Sequence, residues 1–186
     1  MFQELLDGMI QMQSSLAELT ANELTKAPFV PSPDPDAVIR SVHLLAEGIV
    51  GLCALNPMDK HVRELLSILI WKLTEAHGKY SLRYRSLGAL QKHAYPGPGK
   101  FIHEHVHTRK SLIGRMIGGD EPLTQVLADA VACLVTSMED KLLRKIPNDL
   151  QGWDRYRNAG IAVFDMEEEA WLLPPTGKWQ AQEEHI

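Results

Sequence analysis

The stretch KFIHEHVHTRK contains the densest group of side chains in this sequence that could do chemistry. His103, Glu104 and His107 match the zinc-protease pattern H-E-x-x-H, in which two histidines bind zinc and the glutamate polarises a bound water. That chemistry needs a helix, because a spacing of four then puts both imidazoles on one side. It also needs a third ligand. The extended motif would place a glycine and a histidine where Lys110 and Ile113 stand.

The same stretch is also compatible with a strand, because Pro98 and Gly99 disfavour a helix directly before it. Alternation along a strand would place His103, His105 and His107 on one face. Three imidazoles on one face suit a transition metal, and equally a solvated surface that titrates at about pH 6–7. We predict a strand or a strand–turn and not a helix, and therefore that the zinc-protease match is accidental.

On a strand, Glu104 would point to the opposite face between two apolar neighbours. A carboxylate in such surroundings needs a cationic partner. Arg83 and Arg85 are the predicted partners.

The letters EHVHT resemble the start of the ββα-metal (HNH-type) nuclease motif, in which an acid precedes a general-base histidine on a strand. The resemblance covers these letters alone, and the family's later Asn and His do not follow at their usual spacing. It implies that Glu104 is a metal ligand and that His105 activates water, with Asp140 or Glu139 as a further ligand. No cofactor is required by the sequence. Zn²⁺ or Mg²⁺ is expected only if a metal site forms, through His103, His105 and His107 or through Glu104 and His105.

The charges of the chain are segregated, although the net charge is only −5. Residues 79–119 carry eight Lys or Arg and one acid, whereas acids dominate from Asp165 onward. Such a distribution favours an anionic partner, either nucleic acid or an acidic protein surface. The alternative is that the two segments pair with each other. The predicted binding residues are Lys79, Arg83, Arg85, Lys92, Arg109, Lys110, Arg115, Arg155 and Arg157.

Composition narrows the class of protein further. The chain has 186 residues, of which 45% are hydrophobic, and this suits one domain with a real core. No apolar run approaches the roughly 20 residues of a membrane span. Acids near the start do not suit a signal peptide, and Cys53 and Cys133 do not make a disulfide framework. We therefore expect a cytoplasmic protein with no membrane partner, in which both cysteines are core residues.

Hydrophobic spacing and turn signals predict the elements. An amphipathic helix is expected over 2–26, a proline-rich segment over 27–36, one globular domain over 37–174 and an irregular acidic tail over 175–186. Helices are predicted over 36–55, 59–77, 81–94, 109–118 and 122–131, and strands over 132–136, 161–165 and 170–173. Thr136 and Glu139 form a capping box that begins a helix ending near Lys145. The fold class is α+β, with a helical N-terminal half and a small C-terminal mixed sheet flanked by helices.

No complete catalytic constellation accompanies these features. We therefore expect a non-catalytic binding or regulatory protein that engages an anionic partner through its basic, histidine-rich middle segment. A metal-dependent nuclease-like enzyme using Glu104 and His105 is the alternative, followed by a zinc hydrolase using His103, Glu104 and His107. A small interactor of this kind would suit a bacterial regulator or a phage counter-defence system, and the sequence specifies neither the oligomeric state nor the partner.

Overall fold

The computed structural model describes residues 33–53, 60–94 and 99–175. These residues form seven helices and five strands: α1 (Pro35–Cys53), α2 (Lys60–Thr74), β1 (Tyr84–Ser86), α3 (Leu87–Ala94), β2 (Phe101–His105), α4 (Arg109–Gly118), α5 (Leu123–Ala128), β3 (Ala132–Thr136), α6 (Ser137–Leu143), α7 (Trp153–Asn158), β4 (Val163–Asp165) and β5 (Ala170–Leu173). The two longest helices precede a mixed five-stranded sheet. The predicted α+β class is therefore confirmed.

The helical half begins with a capped helix. Asp34 accepts a hydrogen bond from the backbone N–H of Ala37 at 3.0 Å, as expected of an N-cap. Pro35 follows at the first helical position. A backbone N–H at that position has no acceptor within the helix, so its absence in proline costs no helical hydrogen bond. Helices α1 and α2 then pack against each other and against α4 and α5. Their common core contains Ala46, Leu66, Ile70, Leu112, Met116 and Val126.

Both ends of α4 follow from local signals. The side chain of Thr108 accepts a hydrogen bond from the N–H of Ser111, and Gly119 ends the helix in the left-handed conformation. The predicted bounds of 109–118 are confirmed. Arg115 in the last turn donates to Glu121 and Asp129, so that α4 is tied to both ends of α5.

The strands lie in the order β2-β3-β1-β4-β5. Strand β1 pairs with β3 in parallel, and every other neighbouring pair is antiparallel. The register places Glu104 opposite Cys133 and His103 opposite Leu134. Strands were correctly predicted at β3 and β5, and β4 is shorter than the predicted 161–165.

Strand β1 contradicts the helix predicted over 81–94. Residues 84–86 form the central strand of the sheet, and only 87–94 are helical. The physical reason is pairing, because Tyr84 and Arg85 face β3 on one side and β4 on the other. Helix α7 was also not predicted.

The sheet has two different faces. One face carries Cys133, Val135 and Val163, which pack with Leu143 of α6 and Tyr156 of α7. The other face carries Ala132 and Leu134, which pack with Ala89 of α3, and Phe164, which packs with Leu90. Successive side chains of β2 point to opposite faces and therefore enter two different environments.

Several hydrogen bonds converge at the junction of β3 and α6. The predicted capping box of Thr136 and Glu139 is confirmed, although the helix ends at Leu143 and not near Lys145. The carboxylate of Glu139 also accepts hydrogen bonds from the Ser86 hydroxyl at 2.6 Å and from the N–H of Gly88 at 3.2 Å. One carboxylate thus joins β3, β1 and α3.

Several sequence predictions lie outside the described residues. These are the helix over 2–26, most of the proline-rich segment over 27–36, the ends of the predicted helices near residues 54–59, and the tail from 176 onward. Among the helices that the structure does describe, none is both long enough and apolar enough to cross a membrane.

Candidate functional site

Strand β2 carries the first three residues of HEHVH, and Val106 and His107 follow in a bend, so the predicted strand–turn is confirmed. His103 and His105 share one face, and Glu104 lies on the other. His107 lies beyond the end of the strand, where its ring packs so closely on Gly152 that a Cβ there would be 2.9 Å from Nε2. The predicted face of three histidines therefore contains two.

His103 and His105 converge on one hydroxyl group. The Nδ1 of His103 lies 3.0 Å from the carbonyl oxygen of Lys79, so we assign the proton of the neutral ring to Nδ1. Its Nε2 then accepts from the Thr74 hydroxyl at 3.0 Å, and the Nε2–H of His105 donates to the same oxygen at 3.2 Å. The carbonyl of Trp71, also 3.0 Å away, competes for the Thr74 proton.

Burial determines the charge state of these rings. Both histidines are buried, and desolvation lowers the pKa of His103 and lowers that of His105 to about 3. The neighbouring cation Arg109 acts in the same direction on both pKa values, whereas Glu75 partly opposes the change at His103. Burial also lowers the pKa of His107. The prediction of solvated imidazoles that titrate at about pH 6–7 is therefore wrong. Trp71 and Thr74 of α2 cover His103 and His105, and Gly152 packs on His107.

Trp71 of α2 connects the histidine pair to the surface. Its ring stacks on His103 with centroids 5.0 Å apart and lies 5.3 Å from the ring of His105. Two cations approach the same indole: the guanidinium carbon of Arg109 lies 5.3 Å from the ring centroid, and Nζ of Lys79 lies 5.8 Å away. The ammonium of Lys79 also lies 5.5 Å from the ring of Tyr80, which is half exposed.

We call Trp71, Lys79, Tyr80, Arg109 and Lys110 the cation–aromatic surface. Lys79, Arg109 and Lys110 are exposed, and none of them contacts a carboxylate among the residues that the structure describes. Arg109 also donates a hydrogen bond to the Ser67 hydroxyl at 3.0 Å, which holds its guanidinium in place.

The remaining predicted binding cations are placed differently. Arg83 pairs with Asp165 at 2.7 Å and also with Glu167 and Glu168, so that part of the basic segment does face the acidic one. These contacts raise the pKa of Arg83. Arg115 is paired as described above, and Arg157 pairs with Asp154. Lys92 lies 5.7 Å from the ring of Phe101 and is half-buried.

Arg85 is buried at 3% exposure in the central strand, and burial lowers its pKa. A surface role for Arg85 is therefore not compatible with the folded chain, and a charge reversal there would bury a carboxylate. Arg155 is also buried, where it pairs with Glu104.

Glu104 on the opposite face of β2 is paired with Arg155 of α7, with 2.7 Å between Oε1 and the guanidinium. Arg155 also donates to the carbonyl oxygens of His105 and Val106 at 3.3 Å. The prediction that Arg83 or Arg85 would be the partner is wrong, since the fold of the chain brings α7 and not β1 to this carboxylate. Burial raises the pKa of Glu104, and Arg155 opposes that change.

The Glu104–Arg155 pair lines a cleft of about 250 Å³ beside α6. Asp140 and Arg144 line the same cleft and pair with each other at 2.9 Å. Each cation of the cleft is therefore matched by an acid, and the described lining has no excess charge with which to attract an ion.

The predicted metal-site residues are only partly brought together. Glu104 and His105 point to opposite faces of the sheet, and Glu139 is bonded within its capping box. Only Asp140 shares the cleft of Glu104. Among the described residues, no group of three or more His, Cys, Asp or Glu is placed to hold a metal ion. Binding of Zn²⁺ or Mg²⁺ stays a prediction.

Cys133 and Tyr156 lie in the core, as expected for Cys133. Burial raises the pKa of both groups well above their usual values and so keeps the Cys133 thiol protonated. The side chain of Cys53 lies outside the described residues. Trp153 packs edge-on against Tyr84 with centroids 4.9 Å apart, which anchors α7 to the sheet.

Sequence reasoning missed Trp71, Thr74 and Tyr80. Trp71 and Thr74 are three residues apart and therefore lie on one side of α2, a spacing that is visible in the sequence. Nothing in the sequence indicates that this side meets β2, which lies beyond the described α3.

No protein-family model matches the chain, and neither a curated protein nor a solved structure matches it. A function must therefore be inferred from the side chains described above.

Proposed function

We propose that the protein is a non-catalytic binding or regulatory protein that engages an anionic partner through the cation–aromatic surface. The observation behind the proposal is that Lys79 and Arg109 lie over aromatic rings, with the exposed Lys110 next to Arg109 at the start of α4. None of the three contacts a carboxylate within the described ranges. Most of the other predicted binding cations are satisfied by acids or buried.

The geometry favours recognition of an anion for two reasons. Arg109 is held by Ser67 and by the Trp71 ring, so that little side-chain freedom is lost when it contacts a partner. The exposed half of Tyr80 offers an apolar ring beside the ammonium of Lys79. In a nucleic acid, a base would stack on the ring and a phosphate would contact the ammonium. In a protein, an apolar side chain would contact the ring and a carboxylate would contact the ammonium.

The surface is local, since the whole chain has a net charge of −5. A local cationic group on an acidic protein attracts an anion at short range, and salt screens this attraction. The buried histidines below the surface are neutral at pH 7 because their pKa values are lowered, so they add no charge to it. The partner is therefore held by the three cations.

Binding is tested by fluorescence anisotropy with two labelled probes, a single-stranded oligonucleotide and a glutamate-rich peptide. Lys79→Glu/Lys110→Glu is expected to weaken binding of the preferred probe by roughly tenfold or more at low salt. The matched control is Lys141→Glu/Lys145→Glu, which changes the net charge equally at two exposed lysines elsewhere.

The salt dependence identifies the partner class. For a single-stranded nucleic acid, the logarithm of the affinity is expected to fall by about 0.7 per logarithm of salt for each phosphate contact, and the variant should lose part of that slope. Preference for the peptide would identify an acidic protein surface. Absence of binding to both probes, or an equal loss in the control variant, would show that the proposal is wrong.

A further inference from the structure

The cleft beside α6 brings together two ion pairs of different mobility. Glu104 pairs there with Arg155, and Asp140 pairs with Arg144. The side chains of Glu104, Asp140 and Arg155 are only 20%, 10% and 7% exposed, whereas that of Arg144 is 75% exposed. Arg155 is also bonded to the backbone of β2. Three of the four charges are therefore fixed in place, and the fourth can move.

Each carboxylate of the cleft keeps one oxygen that its guanidinium partner does not use. Arg155 donates to Oε1 of Glu104, and Arg144 contacts Oδ2 of Asp140. A carboxylate has about four acceptor sites, so Oε2 of Glu104 and Oδ1 of Asp140 retain the capacity to accept from a further donor. Two largely buried acids thus offer acceptors to the same cleft.

The charge of Glu104 is only partly compensated. Burial raises the pKa of this carboxyl, and the negative charge of Asp140 raises it further, although the hydrogen bond from Arg155 opposes the change. A buried carboxylate in this condition is stabilised by an additional cationic donor. The cleft therefore favours a ligand with a positively charged group.

Arg144 determines what else the ligand must carry. A cation that contacts Asp140 would compete with Arg144 and would lie beside its guanidinium, so that a simple cation would be repelled. The exposed Arg144 loses little when it leaves Asp140, because surface ion pairs are weak. A carboxylate on the ligand would give Arg144 a new partner. Since each cation of the lining is matched by an acid, the fitting ligand has both charges and no net charge.

The size and the apolar part of the cleft narrow the class of ligand. Its volume of about 250 Å³ corresponds to about eight water molecules at about 30 Å³ each, and it lies below the range typical of drug-sized ligands. Leu143, Ile146 and Pro147 form an apolar part of the lining. The ligand is therefore a small zwitterion with an apolar group.

We propose that the cleft binds a free α-amino acid with an apolar side chain. Its ammonium group contacts Glu104 and Asp140, its carboxylate pairs with Arg144, and its side chain packs on Leu143 and Ile146. Amino-acid binding goes beyond the proposed function, because Glu104 points to the face of β2 opposite the histidine pair. The experiment below uses no anionic partner, so that either proposal can fail without the other.

The test is isothermal titration calorimetry of the full chain with alanine, valine, leucine and methionine in their L forms. At least one of them is expected to bind with millimolar affinity or better. The best ligand is then compared with the amine that lacks its carboxylate and with the acid that lacks its ammonium group. Each analogue should bind about tenfold or more weakly, because it leaves one side of the charged lining without a partner.

Variants assign the two charges of the ligand. Arg144→Gln should weaken binding of the amino acid by about tenfold or more and leave that of the amine unchanged, because only the carboxylate contacts Arg144. Asp140→Asn should weaken both. Lys141→Gln is the matched control, because it removes an exposed cation from the same helix outside the cleft. Urea denaturation checks the folding of each variant, and the high exposure of Arg144 makes its replacement the safest of them.

Three outcomes would overturn the proposal. The first is that none of the four amino acids binds at millimolar concentration. The second is that the amine or the acid binds as tightly as the amino acid, since the ligand would then need only one charge. The third is that folded Arg144→Gln binds as the native chain does, or that Lys141→Gln loses as much affinity, since binding would then occur elsewhere or depend on net charge alone.

Discussion

Acid should destabilise this protein through His105, well above the pH at which carboxylates are protonated. Burial against Trp71 and Thr74 lowers the pKa of His105 from its ordinary 6.5 to about 3. In the unfolded chain the imidazole regains its ordinary pKa. Between these two values the unfolded chain binds a proton that the folded chain does not, so stability is lost as the pH falls from about 6.5 toward 3.

The size of the effect follows from the two pKa values. Each pKa difference of one corresponds to about 1.4 kcal/mol, and integration gives a loss of about 2 kcal/mol between pH 8 and pH 5. The loss reaches about 3 kcal/mol at pH 4. His103 adds to it, because burial lowers its pKa as well. Asp165, whose pKa is lowered from 3.8, adds a further loss of stability only below about pH 4.

The assay is urea denaturation at pH 8, 7, 6 and 5 on the native chain and on His105→Phe. The substitution keeps an aromatic ring against Trp71 and removes the titrating group. The free energy of unfolding of the variant should fall by about 2 kcal/mol less than that of the native chain between pH 8 and pH 5. His61→Phe, which removes an exposed imidazole from α2, is the control and should retain the native loss.

Equal losses of stability in the native chain and in His105→Phe would refute this reasoning. In that case, His105 would be accessible to water or partnered by an acid, and the neutral network on Thr74 would not exist.

The remaining predictions concern the sheet and its boundaries. Gly88→Ala should destabilise the fold by about 1–3 kcal/mol in chemical denaturation, although alanine favours helix, because a Cβ would lie 2.7 Å from Oε1 of Glu139; a gain in stability would show that this carboxylate is free to move. Arg155→Met should cost about 3 kcal/mol at pH 7 by leaving the half-buried Glu104 unpaired, and the double variant with Glu104→Gln should recover part of that loss in a denaturation cycle. A chain that lacks residues 1–30 should still unfold in one cooperative transition, and a broad, non-cooperative transition would contradict the prediction that this segment is peripheral.

Elements with local signals were predictable from the sequence. Thr108 and Gly119 mark both ends of α4, and Thr136 with Glu139 marks the start of α6, because caps depend on residues three or four positions apart. Strand β3 was predictable for a related reason, since its four buried residues form a short apolar run.

Strand β1 was not predictable, because its signal is not local. The strand consists of Tyr84, Arg85 and Ser86, two of which are polar. It lies within the basic segment 81–94, whose composition and spacing predicted a helix. Its extended conformation comes from pairing with residues 133–134 and 163–165. No window of sequence around residue 85 contains that information.

The candidate site shows the same limit. The extended start of HEHVH was predictable from Pro98 and Gly99, but the environment of each face depends on which element covers it. Arg155, which is 51 residues away, and not the nearer Arg83, partners Glu104. The lowered pKa of His105 likewise depends on the packing of α2, which charge counting along the chain does not reveal.

The central position of β1 has a consequence for the order in which the chain completes its fold during synthesis. Helices α1 and α2 make contacts between nearby segments and can pair as soon as they are made. Strand β1 is made next but has neither neighbour, since residues 133–134 and 163–165 are synthesised later. Arg85 and Ser86, which the finished sheet buries, therefore stay hydrated until nearly the whole described chain has emerged. Folding of the sheet is thus a late, concerted step that the C-terminal half of the chain controls.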